Sequence, residues 1–517
     1  MEKSRTKNTI RNVKTGIIVQ LINKLMAFIV RTVFIKVLNA EYLGVNGLFT
    51  NILTMLSFAE LGIGTAIIFN MYKPVAEDDK EKIKSLMNLY KKSYNTIGIV
   101  IFLLGLCVIP FMKFIIKEAP SINESLTFIY ILFLINTSSS YFFTYKKSII
   151  SAYQQESIIN KIDSVFYLLK TILEISFLIL TKDYIVYLII QISTTILENV
   201  IISNKANKLF PYLKEKNVKK LDRAEEKSIF SNVKALIIYK FGDAIMQGTD
   251  NVLISALINV STVGLCSNYT LIISAVNGLL LSAIKGITAS IGNLNAIGKK
   301  EKKESIFYQL TFINFWIYGF CAVAFIVLLN PFIEVWLGNN YILNLLVPLS
   351  LALSFFVCGI RTPAYTYRTT LGLFEKGKLT PFIAAIFNIV FSIILGKLFG
   401  VSGIFFATSL AQLVSYSWMD PYLIYKYEFD KPMNIYIKKI FKYIVAFAVA
   451  VICCLGVTKV ISFTGIISLI LKALIVVLLC NLIFLLFFHR SKEYILLKER
   501  FISPIIKKKI NLKKIGV

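Results

Sequence analysis

Of the polar side chains inside long apolar runs of this 517-residue sequence, eight are best placed to do chemistry. Lys24 and Arg31 interrupt the first run, Asn46 and Glu60 the second, Lys240, Asp243 and Asp250 the seventh, and Lys285 the eighth. On insertion scales a Lys, Arg or Asp at the centre of a membrane helix costs about 2.5–3.5 kcal/mol. The first run therefore carries a penalty of roughly 5–7 kcal/mol, about what its strongly apolar residues return, and needs a polar interior to face. Seven residues is nearly two helical turns, so Lys24 and Arg31 share a face, as do Asp243 and Asp250. Asn46 and Glu60, fourteen apart, are expected to share one as well.

Cations on a shared interior face can hold an anionic headgroup. Lys24, Arg31, Lys240 and Lys285, with Asn46, are therefore read as substrate-binding residues, and Asp243, Asp250 and Glu60 as carboxylates that pair with them or bind a coupling ion, H+ or Na+. Structural salt bridges between helices are the plainer alternative. Lys170 and Glu174, at i,i+4, read as a local ion pair.

Other chemistries are poorly supported. The one histidine, His489, ends the last apolar run, so neither a histidine metal site nor a Ser/His/Asp triad is expected. The seven cysteines lie in or beside apolar runs, with no CxxC pattern, and read as packing residues. Gly372 to Leu379 is one residue short of a P-loop, and Leu379 stands where magnesium needs a Ser or Thr. No catalytic residue, metal or cofactor is expected.

The elements that must position these residues follow from composition. Hydrophobic residues make up 56% of the sequence and charged ones 17%, with room for about fourteen membrane-spanning segments of roughly 20 residues. Spans are expected near 15–37, 43–70, 94–116, 126–144, 162–181, 184–203, 235–258, 263–290, 307–329, 342–360, 379–397, 402–425, 443–462 and 465–488. Lipid offers no partner to backbone polar groups and the loops are too short for barrel strands, so every span is predicted helical. The first, basic and lacking a cleavage pattern, is read as retained. An even number of spans puts both tails on one side. That side holds about 45 of the 57 Lys and Arg, against Lys36, Lys113, Lys117, Lys182, Lys397 and Lys459 opposite, so the tails are predicted cytoplasmic. The net charge of +28 is then a topology signal with attraction to membrane lipids, and no nucleic-acid partner is expected. Two stretches look interfacial. Ile83, Leu86, Met87 and Tyr90 form a stripe among lysines, and the tail 491–517 alternates Leu496, Leu497, Ile502, Ile505 and Ile506 with basic residues. Packing of either helix on the cytoplasmic loops is the alternative.

The chain also matches itself at an offset of about 220 residues. Asn12-Val13-Lys14 aligns with Asn232-Val233-Lys234, Met26 with Met246, Asn39 with Asn259, Gly44 with Gly264, and, at a slightly larger offset, Pro110-Phe111 with Pro331-Phe332 and Thr144-Tyr145-Lys146 with Thr366-Tyr367-Arg368. The offset sets Asp243 and Asp250 against Asn23 and Val30, each one residue before a cation of the first span. Six spans per copy make the copies parallel repeats, an architecture that in transporters places substrate between the halves. The expected domains are a six-helix bundle at 1–210, a linker at 211–230, a second bundle at 231–428, an appended helix pair at 429–490 and the basic tail at 491–517.

The segment Ala40-Glu41-Tyr42-Leu43-Gly44-Val45-Asn46-Gly47-Leu48-Phe49, with Leu56-Ser57-Phe58-Ala59-Glu60-Leu61-Gly62-Ile63-Gly64, Lys73-Pro74 and Trp418-Met419-Asp420-Pro421-Tyr422, resembles bacterial polysaccharide flippases of the Wzx type. These exporters of O-antigen, capsule and teichoic-acid precursors belong to the multidrug/oligosaccharidyl-lipid/polysaccharide superfamily. The resemblance implies an all-α MATE-like fold in the bacterial cytoplasmic membrane. Its implied cargo is an undecaprenyl-pyrophosphate-linked oligosaccharide, moved from inner to outer leaflet by alternating access, with polysaccharide polymerase and glycosyltransferases as partners. Members commonly line the cavity with cations for the pyrophosphate, which suits Lys24 and Arg31. A cation-coupled multidrug exporter of the same fold would favour acidic cavity residues. A membrane polymerase or glycosyltransferase would need a larger outer loop than any here, and a scramblase or structural channel is the remaining reading.

Overall fold

The computed structural model describes residues 22–60, 63–153, 155–215, 218–227, 229, 246, 248–373, 375–461 and 463–499. Among these residues the regular elements are all helical, and ten helices are long and apolar enough to cross a bilayer. Leu126–Thr144 and Ile466–Phe488 fall on the expected bounds within a residue. Side chains of the apolar helices are distributed as lipid solvation requires: Phe114, at the end of the span Lys80–Ile115, is 78% exposed and Leu478 70%, which only an apolar solvent makes inexpensive.

Three of the fourteen expected spans take another form, and two more are described only in part. The first is described as a helix only from 22 to 37, and the seventh over 248–257. Spans eleven and twelve run together as Thr380–Val414 and bend at Gly400, whose φ of 62° and ψ of −139° belong to neither helix; only glycine adopts that conformation at little cost. The second, expected to be continuous, breaks into Ala40–Leu56, a 3-10 turn at Ser57–Glu60, and Ile63–Ala76. Asn46 and Glu60 therefore do not share the face that a single helix would have given them.

Chain contacts divide the molecule into two compact units, Met1–Ser267 and Asn268–Val517. Within the first, Ile83, Leu86, Met87 and Tyr90 are buried against Ile67, Met71, Ile149, Ile150, Ile202 and Phe210. The interfacial expectation for this stripe is thus corrected. An i, i+3, i+4, i+7 stripe is also what a helix needs to pack on its neighbours, and the flanking lysines pair with protein carboxylates, Lys82 with Glu225 and Lys84 with Glu215. Gly64 approaches the hydroxyls of Tyr90 and Tyr94, where a Cβ would lie 2.7 and 2.8 Å away, so this glycine serves close helix packing.

The duplication reappears in local structure. Asn39 Oδ1 accepts from the N–H of Glu41 at 2.9 Å and caps Ala40–Leu56. Asn259 Oδ1 accepts from the N–H of Thr262 at 2.9 Å at the start of Val260–Ile297. Equivalent asparagines thus start equivalent helices. The two starts also meet reciprocally: a Cβ on Gly44 would lie 2.0 Å from the Val260 carbonyl oxygen, and one on Gly264 2.1 Å from that of Ala40. At the 220 offset each contact is the image of the other, the signature of a local two-fold relation. Gly44→Ala or Gly264→Ala is expected to force the backbones apart and lower stability by about 1–3 kcal/mol. Gly47→Ala, whose Cβ would meet Val263 at an ordinary 3.4 Å, is expected to be neutral or stabilising. Equal thermal unfolding of all three variants in detergent would contradict the reciprocal packing.

In the second unit, Asn434–Thr458 and Ile466–Phe488 dock on Lys300–Leu337 and Leu346–Thr370 through buried aromatic rings. Phe315 stacks on Tyr443 at 4.5 Å and packs on Phe484 at 4.8 Å, and Phe356 stacks on Phe447 at 4.0 Å. Tyr494, on the short helix Lys492–Leu497, stacks on Trp316 at 6.1 Å. Residues 500–517, which carry the rest of the expected interfacial tail, lie outside the described residues.

Candidate functional site: the cations of the first helix

The first helix is pinned on both sides of its charges. Tyr167 Oη donates to the Asn23 carbonyl at 2.9 Å, and Phe34 packs edge-on against Tyr184 and Tyr187 at 5.9 and 5.2 Å. Lys24 and Arg31 lie between these anchors, both half-buried. Arg31 Nη1 donates to Ser267 Oγ at 2.8 Å, and that hydroxyl spends its own proton on the Gly264 carbonyl at 2.7 Å. A neutral oxygen is therefore what holds the guanidinium. Among the described residues no carboxylate lies within 4.0 Å of either cation. Arg31 makes one hydrogen bond there from five N–H donors. A guanidinium fork with spare donors suits bidentate recognition of phosphate oxygens, and an ammonium about two turns away on the same face adds positive charge.

The other predicted positions are distributed differently. Asn46 is half-buried on Ala40–Leu56. Glu60 accepts from Tyr94 Oη at 2.6 Å, and Tyr94 Oη in turn accepts from Tyr90 Oη at 3.1 Å, so its carboxylate is committed to a tyrosine chain. Asp250 is half-buried on the 248–257 helix, which packs closely on Ala40–Leu56 where Gly248 meets Met55. Lys240 and Asp243 lie outside the described residues, and Lys285 stands on Val260–Ile297 with its side chain outside them. Lys170 and Glu174 form the expected pair at 3.7 Å. Nothing in the sequence singles out Ser267. A single serine on an apolar helix is a faint signal, and its partner lies 236 residues away.

The family model described as "Polysaccharide biosynthesis protein" matches residues 9–289, a stretch that holds the capped Ala40 helix, the reciprocal glycines and both cations. The chain belongs to this polysaccharide biosynthesis family. No curated protein matches it. Solved structures share its fold. The lipid II flippase MurJ in an inward closed conformation matches with a TM-score of 0.65 and 14% identity, covering 91% of this chain and 98% of that one. An inward-facing multidrug resistance MATE family transporter matches with a TM-score of 0.61 and 15% identity, covering 78% and 96%. A Vibrio cholerae MATE transporter matches with a TM-score of 0.51 and 15% identity, covering 82% and 97%. The fold is thus the all-helical, MATE-like fold of these solved structures, and the family member described here is a multi-pass membrane protein.

Proposed function

We propose that this family member is a flippase for an anionic lipid-linked oligosaccharide, moving an undecaprenyl-pyrophosphate carrier from the inner to the outer leaflet of the bacterial cytoplasmic membrane. The observation that carries the reading is Arg31: a guanidinium inside an apolar helix, held by a neutral serine and without a carboxylate partner among the described residues. An uncompensated cation in a low-dielectric interior is costly, and a ligand pyrophosphate would supply its missing counter-charge. Lys24 adds a second positive group on the same face. The multidrug alternative gains nothing from two intramembrane cations. In this reading both termini are cytoplasmic, as the loop charges predict, and polymerase and glycosyltransferases act before and after the flip. Cells lacking the chain are expected to lose surface polysaccharide and to accumulate lipid-linked oligosaccharide, measured by surface labelling and lipid extraction. Normal surface polysaccharide would remove the function.

For the driving force we assign Asp243 and Asp250, with Glu60 demoted by its bond to Tyr94, as the carboxylates that respond to H+ or Na+. Asp250→Asn is expected to flatten the response of transport in vesicles to an imposed proton or sodium gradient. An undiminished response would take Asp250 out of coupling.

A further inference from the structure

A polar cavity of about 450 Å³ opens in the first unit, away from Lys24 and Arg31 in the chain and built from other elements. Its walls carry Lys84, Asn88 and Lys91 from one side of Lys80–Val108, Lys146 just after Leu126–Thr144, Asn207 near the end of Tyr184–Leu209, and Lys214 from the turn Pro211–Lys214. Lys84 is neutralised, by Glu215 at 2.6 Å and by Glu81. The other three lysines are not: among the described residues none of Lys91, Lys146 and Lys214 has a carboxylate within 4.0 Å. Lys146 Nζ donates to the neutral Asn207 Oδ1 at 2.9 Å. Burial, and then the like charges of Lys91 and Lys214, lower its pKa from the ordinary lysine value, so the three cations crowd one another as well as lacking partners.

The second repeat shows how the same position looks when the protein supplies the anion itself. Lys146 aligns with Arg368, and Arg368 is fully buried in an ion pair with Asp420 at 3.1 Å. Nearby basic residues of that unit are matched too, Lys303 with Glu428 at 2.7 Å and Lys431 with Glu304 at 2.6 Å. A topology signal alone needs only that lysines be present in the loop. It does not require three of them to gather around a concave opening beside two amides while the carboxylate in its lining, Glu215, serves a fourth together with Glu81.

We infer that this cavity is a second anion site, which binds a phosphate-bearing group through Lys91, Lys146 and Lys214 with Asn88 and Asn207 as hydrogen-bonding partners. Its volume falls in the range of small-molecule sites, and three ammonium groups around one opening favour a multiply charged phosphate over a monovalent anion. Phosphate of this kind comes either free in solution or on a lipid headgroup.

Binding of inorganic pyrophosphate to the full chain in nanodiscs, measured by calorimetry, tests the site. A Lys24→Gln, Arg31→Gln background removes the proposed transport site, so that failure there and failure here are read separately. In that background pyrophosphate is expected to bind still, and Lys146→Gln to weaken it at least about tenfold, whereas Lys146→Arg keeps it within about twofold. Lys91→Gln and Lys214→Gln, both at exposed positions, carry the same expected loss should Lys146→Gln fail to fold. Equal affinity in phosphatidylcholine and phosphatidylglycerol discs identifies free phosphate as the ligand source. At least tenfold weaker apparent affinity in phosphatidylglycerol identifies a lipid headgroup already occupying the cavity. Absence of pyrophosphate binding in the background in both kinds of disc, or binding that no lysine substitution changes, overturns the inference.

Discussion

Arg31→Gln is expected to reduce export of surface polysaccharide to background while the protein still reaches the membrane in normal amount. Glutamine is two atoms shorter than arginine and keeps an amide donor, so the single Ser267 contact is given up with the charge, while the helix anchors at Asn23 and Phe34 are untouched. The charge is the larger loss. Losing a charge-assisted, bidentate phosphate contact in a desolvated site costs about 2–5 kcal/mol, a loss of roughly thirtyfold to several thousandfold in binding at about 1.4 kcal/mol per decade. Removing an unpaired intramembrane cation also relieves an insertion penalty of about 2.5–3.5 kcal/mol. The variant is therefore expected to be at least as stable as the parent, and that combination, a more stable protein that does not export, separates a ligand-binding role from a structural one. Lys24→Gln is expected to act in the same direction and more weakly, since an ammonium grips phosphate as a point charge and not as a fork. Export by the double variant at the parental level would leave both residues without a substrate role.

The second large effect belongs to stability. Asp420→Ala is expected to cost about 3–5 kcal/mol, because it removes the carboxylate paired with the Arg368 guanidinium where neither residue has any exposed surface. Loss of folded protein on thermal challenge in detergent measures it. The paired change Arg368→Met with Asp420→Ala is expected to recover much of the loss, since an apolar pair of similar volume is often no worse than a buried ion pair. A double variant less stable than either single one would show that the two residues have essential partners beyond each other. The pair also gives physical content to the Trp418 to Tyr422 motif: Asp420 in that motif is the counter-charge for Arg368.

These residues show what a sequence discloses and what it withholds. Span boundaries set by a change of solvent were legible, as at Leu126–Thr144, since an apolar run ends where lipid ends. Lys80–Val108 begins well before the expected 94 because its lysine-rich first turns continue the helix beyond the apolar stretch, and a stripe that packs on protein has the same spacing as one that lies on headgroups. The broken second span was not legible either. Periodicity carries across Ser57–Glu60 in sequence, while the backbone there tightens into a 3-10 turn and turns Glu60 toward Tyr94. The cations of the first helix stood out through their cost in lipid. Ser267, which holds one of them, did not, because a serine in an apolar run carries almost no such cost and the pairing spans most of the first unit. The duplication aligned Asn39 with Asn259 and Gly44 with Gly264, and the structure gives those matches their reasons, a cap at each asparagine and a close reciprocal approach at each glycine.

The most direct measurement is leaflet transfer by the purified chain in proteoliposomes, using a fluorescent undecaprenyl-pyrophosphate oligosaccharide alongside the same oligosaccharide on an uncharged polyprenyl carrier. Protein-dependent transfer of the pyrophosphate form, with at least tenfold slower transfer of the uncharged form and loss of that preference in Lys24→Gln, Arg31→Gln, is the predicted result. Equal transfer of both forms, or no transfer of either by a folded protein, would contradict recognition of a phosphorylated carrier by the first helix.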